Sequence, residues 1–179
     1  MIIENNNINI KISKLAVLTS GGDAPGMNAA IRSVARSCSH YGIQCFGVSR
    51  GYQGLIEGKI KPLGTRSVKN ILNKGGTILK SARSKEFMTK EGRLKAHETL
   101  KNQEINNLIV IGGDGSFTGG YIFEKEFGVS VVGIPGTIDN DIFGTDSTVG
   151  YDTALNTVVE AIDKIRDTAI SHNLSLIHI

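Results

Sequence analysis

A chain of 179 residues, 40% apolar and 21% charged, is long enough to bury a core and too evenly composed to be disordered or fibrous. A net charge of +3 without a dense Lys/Arg block interleaved with aromatics leaves no footprint for nucleic acid, and no apolar run reaches membrane-spanning length. Cys38 and Cys45 lack a C-x-x-C spacing, so reduced thiols, no disulfide and a cytoplasmic location are expected.

The first stretch, 1–13, is rich in Asn and Ile and has neither the basic start nor the apolar core of a signal peptide, so it reads as an N-terminal extension. Lys14 to Ser20 reads as a strand, Gly21-Gly22-Asp23-Ala24-Pro25-Gly26 as a tight loop, and Met27 to Gly42 as a helix with apolar residues at helical spacing. The loop imitates a P-loop, but Met27 and Asn28 stand where that motif needs Lys and Ser/Thr. Nor do Gly21, Gly22 and Gly26 make G-x-G-x-x-G. What survives is a helix N-terminus whose N–H groups can face an anion. Arg32 and Arg36 are neighbours on one face of this helix, either a solvated cationic stripe or a second phosphate site.

Ile43 to Val48 predicts a second strand, followed by Arg50 to Gly54 and a hairpin-like stretch through Pro62. Ser67 to Asn73 predicts a brief helix closed by Gly75-Gly76, and Thr77 to Ser84 a loop carrying cations. Leu94 to Leu100 lies in a helix and Leu108 to Ile111 is a buried strand, ending in the loop Gly112-Gly113-Asp114-Gly115-Ser116 before a helix over Phe117–Phe127. Val129 to Gly133 predicts a short buried strand that delivers Ile134-Pro135-Gly136-Thr137-Ile138-Asp139-Asn140-Asp141 at its carboxyl end. Thr148 to Ala169 predicts a long amphipathic helix with Leu155, Val158, Val159, Ile162 and Ile165 turned inward and Glu160 supporting Lys164. The alternation of strand and helix predicts an α/β fold, a three-layer, mainly parallel sheet with helices on both faces.

Glycine-rich loops with acidic residues thus recur at three strand ends, carrying Asp23, Asp114, and Asp139 with Asp141. Each alone suits a solvated turn; their recurrence at the sheet edge where α/β proteins bind ligands favours a site. Glycines let backbone amides approach phosphates, one carboxylate can hold Mg²⁺, and another can take a proton from an attacking hydroxyl. Those are the parts of a phosphoryl transferase.

At these residues the chain resembles a known family. Leu18 to Asn28, Gly112 to Ser116 and Pro135 to Asp141 look like the motifs of bacterial-type ATP-dependent 6-phosphofructokinase. The resemblance implies that Gly22, Arg83, Ser84, Gly113, Asp114, Gly115 and Ser116 line an ATP site, with Asp114 reaching Mg²⁺. It implies that Thr137, Ile138 and Asp139 meet fructose 6-phosphate, Asp139 acting as base toward the 1-hydroxyl. It further implies an effector site in which Arg32, Arg36 and Arg166 hold ADP or phosphoenolpyruvate, and a homotetramer at full length.

Pyrophosphate-dependent relatives carry Asp and Lys where this chain has Gly115 and Gly136, so both glycines favour ATP as donor. A pyrophosphate-dependent enzyme and a non-catalytic nucleotide-binding fragment are the alternatives. Two positions depart from the family pattern: Thr65 stands where an effector-binding arginine is often found, and Ser84 where some relatives place an aromatic residue near adenine.

The resemblance covers 14–173, with 14–138 the nucleotide-binding part and 139–173 the start of the substrate part. It implies an incomplete phosphofructokinase-like fold, lacking the arginines that clamp the sugar phosphate, so little turnover is expected from this chain alone. The tail Leu174-Ser175-Leu176-Ile177-His178-Ile179 reads as the translation of a transposon-end sequencing adapter, and native sequence is expected to stop at Asn173.

Overall fold

The computed structural model describes residues 12–174. The tail beyond Leu174 and nearly all of the N-terminal extension lie outside the described residues. In order, the elements are β1 (Lys14–Thr19), α1 (Met27–His40), β2 (Gln44–Val48), α2 (Gly51–Ile56), β3 (Ile60–Pro62), a 3₁₀ turn (Glu86–Met88), α3 (Lys90–Asn102), β4 (Asn107–Gly112), α4 (Asp114–Phe127), β5 (Ser130–Thr137), β6 (Val149–Gly150) and α5 (Tyr151–Ser171).

The strand order is β3-β2-β1-β4-β5-β6, parallel throughout except for the β2–β3 pair. Strand periodicity builds the layers. Leu15 and Val17 of β1 face one core with Met27, Ile31, Val34 and Cys38 of α1, whereas Ala16 and Leu18 face the other with Leu55, Leu100 and Phe123. β4 repeats this, sending Ile111 to the first core and Leu108 and Val110 to the second. The three-layer, mainly parallel α/β prediction therefore holds, with α1 on one face and α2, α3 and α4 on the other.

Several local expectations need correction. Ser67–Asn73 forms turns, not a helix, because Asn70 takes a left-handed backbone (φ 57°) that interrupts helical geometry, while Val68 and Ile71 still reach the core. The hairpin-like stretch after Arg50 contains α2, and only the following β3 returns antiparallel to β2. α4 begins at Asp114, so Asp114, Gly115 and Ser116 of the predicted glycine loop form the first turn of a helix. β5 runs on through Thr137 and is not fully buried: Val132 is 57% exposed.

The largest correction concerns α5. It begins after β6, at Tyr151, and Leu155, Val158, Val159, Ile162 and Ile165 are 47–58% exposed, not inward; Ala169 is its only buried residue. The helical spacing of that stripe is real. What the stripe lacks is a layer to pack against within the described residues.

Candidate functional site

In the strand order, β1 lies between β2 and β4, so the chain runs first to one side of β1 and then returns to the other. The carboxyl ends of strands flanking such a reversal form a crevice, the usual ligand position in open α/β sheets. Here a cavity of about 980 Å³ opens at that place. Its walls come from Gly21, Gly22 and Asp23 after β1, from Gly113 to Ser116 after β4, from Gly136 to Asp139 with Asp141 at the end of β5, and from Ala82 to Lys85 of the long connection before α3.

The cavity brings together Gly22, Arg83, Ser84, Gly113, Asp114, Gly115, Ser116, Thr137, Ile138 and Asp139, residues as far apart in the chain as Gly22 and Asp139. Arg32 and Arg36 on α1 line neither this cavity nor the smaller one described, and Arg166 on α5 pairs with Asp163 at 3.0 Å.

The residue types in each motif acquire distinct jobs. Gly113 precedes α4 at the cap position and offers no side-chain cap, and the Ser116 and Phe117 amides turn back to the Gly113 carbonyl, which leaves the Asp114 and Gly115 amides at the cavity edge. A Cβ added at Gly115 would meet no protein atom within 4 Å, so the packing of the protein itself does not require glycine there. Gly136 differs: a Cβ there would come within 3.2 Å of Ile111 and 3.4 Å of Met27, which gives it a packing role as well.

In the Asp139-Asn140-Asp141 run, both aspartates line the cavity while Asn140 closes the loop behind them. Its Oδ1 accepts from the Thr148 amide at 2.9 Å, its Nδ2 donates to the Asp146 carbonyl at 3.4 Å, and its φ of 51° is one that asparagine tolerates. Aspartate lacks the donor, so the middle residue is an amide for a reason the outer two do not share. Thr148, buried, donates to the Thr137 carbonyl at 2.8 Å, and the Asp139 amide donates to Thr137 Oγ1 at 3.2 Å. Ser84 also has local work: its hydroxyl donates to Gln53 Oε1 at 2.7 Å and accepts from the Phe87 amide at 3.1 Å.

Residues that sequence reasoning missed complete the wall: Tyr52 of α2, Phe87 and Met88 of the 3₁₀ turn, Arg93 of α3, and Gly119 and Ile122 of α4. The Tyr52 and Phe87 rings stack with centroids 3.9 Å apart, and Tyr52 Oη donates to the Ser116 carbonyl at 2.7 Å. Burial pushes the Tyr52 phenol up, so it stays a donor. Arg93 grips Glu126 with Nε and Nη2 at 2.6 and 2.8 Å and donates through Nη1 to the Phe87 and Met88 carbonyls. One signal was readable: Gly119-Gly120 inside a helical pattern marks a close approach, and a Cβ on Gly120 would meet Val131 at 3.0 Å and Tyr52 Oη at 3.2 Å.

Among the described residues no group of three or more His, Cys, Asp or Glu side chains is placed to hold a metal ion. The Asp114 carboxylate, at the glycine turn on the cavity wall, is of a kind compatible with Mg²⁺, which takes one or two carboxylates together with phosphate oxygens and water instead of an all-protein cage.

The phosphofructokinase family profile matches residues 14–178. The chain belongs to the phosphofructokinase family. It is 59% identical over 158 residues to ATP-dependent 6-phosphofructokinase 2 of Bacteroides thetaiotaomicron, covering 88% of this chain and 48% of that protein. It is 56% identical over 161 residues to ATP-dependent 6-phosphofructokinase 1 of Thermus thermophilus, covering 90% and 50% respectively. Among solved structures, phosphofructokinase from Saccharomyces cerevisiae superposes with a TM-score of 0.86 at 42% identity, over 89% of this chain and 25% of that one. A pyrophosphate-dependent phosphofructokinase from Nitrosospira multiformis, at 19% identity and a TM-score of 0.71 over 84% of this chain and 42% of its own, shares the fold. The chain spans about half the length of the curated relatives it matches.

Proposed function

We propose that this phosphofructokinase chain carries the nucleotide site and the catalytic base of an enzyme that phosphorylates fructose 6-phosphate with ATP. The observation that carries the reading is the meeting of Asp114 and Asp139, from the ends of paired strands β4 and β5, in one glycine-lined cavity. ATP enters with its phosphates against Gly22 and the Gly113–Ser116 turn and with Arg83 countering their charge. Thr137, Ile138 and Asp139 receive the sugar. Asp114 would hold Mg²⁺, which supplies charge neutralisation on the triphosphate when bound.

In the transfer, the 1-oxygen of fructose 6-phosphate forms a bond to the γ-phosphorus as the bond from that phosphorus to the bridging oxygen of ADP breaks. The 1-hydroxyl proton passes to the Asp139 carboxylate, giving fructose 1,6-bisphosphate and ADP. Phosphoryl transfer asks the protein mainly for positioning and electrostatics, which suits a site of backbone amides, one metal-holding carboxylate and one base. Gly115 supports ATP over pyrophosphate: a side chain there would project into the cavity with nothing of the protein to hold it back. A cytoplasmic enzyme, assembled as a homotetramer at full length and with Arg32, Arg36 and Arg166 receiving ADP or phosphoenolpyruvate, belongs to the same proposal. No described helix is long and apolar enough to cross a membrane.

The test has two parts. The 179-residue chain is titrated with Mg-ATP, and the full-length gene product is assayed with ATP and fructose 6-phosphate in a coupled reaction. Asp139→Asn is expected to retain nucleotide binding and to lower kcat of the full-length enzyme by roughly 10²–10⁴, the usual range for a general base. Undiminished turnover in that variant would remove Asp139 from the role. Turnover with pyrophosphate and none with ATP would replace the donor.

A further inference from the structure

Residues 74–88 cross from the first core to the far wall of the cavity with no regular element except the 3₁₀ turn at the end. Arg83 sits on this strap, exposed, lining the cavity and without a hydrogen-bond partner among the described residues. A cation held by nothing of its own depends on the backbone that carries it.

That backbone is fastened by two buried side chains from the first motif, neither of which lines the cavity. Asn28, 1% exposed, donates through Nδ2 to the Lys74 carbonyl at 2.9 Å and the Gly75 carbonyl at 3.2 Å, and accepts from the Ile78 amide at 2.8 Å. Thr19, fully buried at the end of β1, donates to the Lys80 carbonyl at 3.0 Å. The amide of Asn28 is matched to the strap by type, with donors on two carbonyls and its acceptor on one N–H; aspartate could satisfy only the latter. Beyond Leu79, whose carbonyl accepts from the Arg50 amide, the chain passes straight into Ala82–Lys85 at the cavity wall.

We infer that Asn28 is a positioning residue for the ligand site: it pins the strap at Lys74–Ile78 so that Arg83 is presented to the anionic part of the ligand. The role explains why an asparagine, useless as a phosphate ligand from where it sits, occupies the helix start beside a phosphate-type loop. Arg83 acts through the geometry that Asn28 and Thr19 hold upstream of it, while Ser84, bonded to Gln53, fastens the strap on its other side. The inference rests on the nucleotide reading of the cavity.

A double-mutant cycle with Mg-ATP as the probe tests it, using the 179-residue chain at a temperature below the melting point of every variant. Arg83→Ala is expected to weaken binding about tenfold, the order of one charge-assisted contact. Asn28→Ala is expected to weaken it by a similar factor, and the double variant by no more than either single one, because an unpresented arginine has nothing left to lose. Asn28→Asp, which keeps only the acceptor, should bind as poorly as Asn28→Ala. Thr19→Val, which keeps side-chain volume and removes the Lys80 bond, is the companion variant with an intermediate loss.

Independent, multiplying losses from Asn28→Ala and Arg83→Ala would overturn the inference, as would wild-type affinity in a folded Asn28→Ala. Failure of both Asn28→Ala and Thr19→Val to fold would also overturn it, making these fold residues alone. If the wild-type chain takes up no nucleotide at all, it is the reading of the cavity that fails, which separates the two.

Discussion

Replacing Tyr52 by phenylalanine removes one oxygen from the joint between α2 and the first turn of α4. That oxygen donates to the Ser116 carbonyl at 2.7 Å, and the residue is 5% exposed, so the bond is largely shielded from solvent. One buried hydrogen bond lost, with a carbonyl lone pair left facing a ring edge, costs about 1–2 kcal/mol. For a chain of this size about 2–4 °C in Tm accompanies each kcal/mol, so Tyr52→Phe should melt about 2–8 °C below wild type. Tyr52→Ala also removes the ring stacked on Phe87 and should lose about 3–5 kcal/mol, the usual cost of an aromatic deleted from a core. Calorimetric melts of the three proteins at one concentration separate the hydroxyl from the ring. Because burial pushes the phenol up, the Tyr52→Phe difference should be constant from pH 6 to about pH 8. An unchanged or raised midpoint in Tyr52→Phe would refute the claim that this hydroxyl holds the glycine turn of α4.

Gly92→Ala tests packing against propensity: alanine favours a helix, but a Cβ here lands on the Glu86 carbonyl, so α3 must move off the 3₁₀ turn and lose about 1–3 kcal/mol. A urea midpoint above wild type would contradict this. Burial, aided by the neighbouring Cys38 thiol, pushes the Cys45 thiol up to about 12. Its folded value lies above the unfolded one of about 8.5, so its stabilisation is complete below about pH 8.5 and is lost as pH rises toward 12. Cys45→Ala should therefore show a shallower fall in Tm between about pH 8.5 and pH 10.5; equal slopes would overturn the assignment. On α5, Val158→Glu with Ile162→Glu should leave the stability of this chain within about 0.5 kcal/mol in a urea melt, since both side chains are more than half exposed. A clear loss of stability would mean that the stripe is packed.

Much of this molecule was legible from its residues in order. The periodicities of β1, α1 and β4 are local properties of the chain, and they survive in the way the buried residues Leu15 to Leu18 alternate between the two cores and in the stripe from Met27 to Cys38. The acidic glycine turns were legible for the same reason: Gly113, Asp114 and Asp139 must follow directly on strand ends to meet at a sheet edge. Periodicity shows that a face is apolar, however, and not that anything covers it. Only the tertiary structure decided that Leu155 to Ile165 stand open. It alone divided Asp139-Asn140-Asp141 into two residues facing the cavity and one closing a loop, because Asn140 finds its partners at Asp146 and Thr148 through a turn the sequence does not announce. It alone joined Asn28 to a strap some fifty residues away, since hydrogen bonds between distant segments leave no spacing to read.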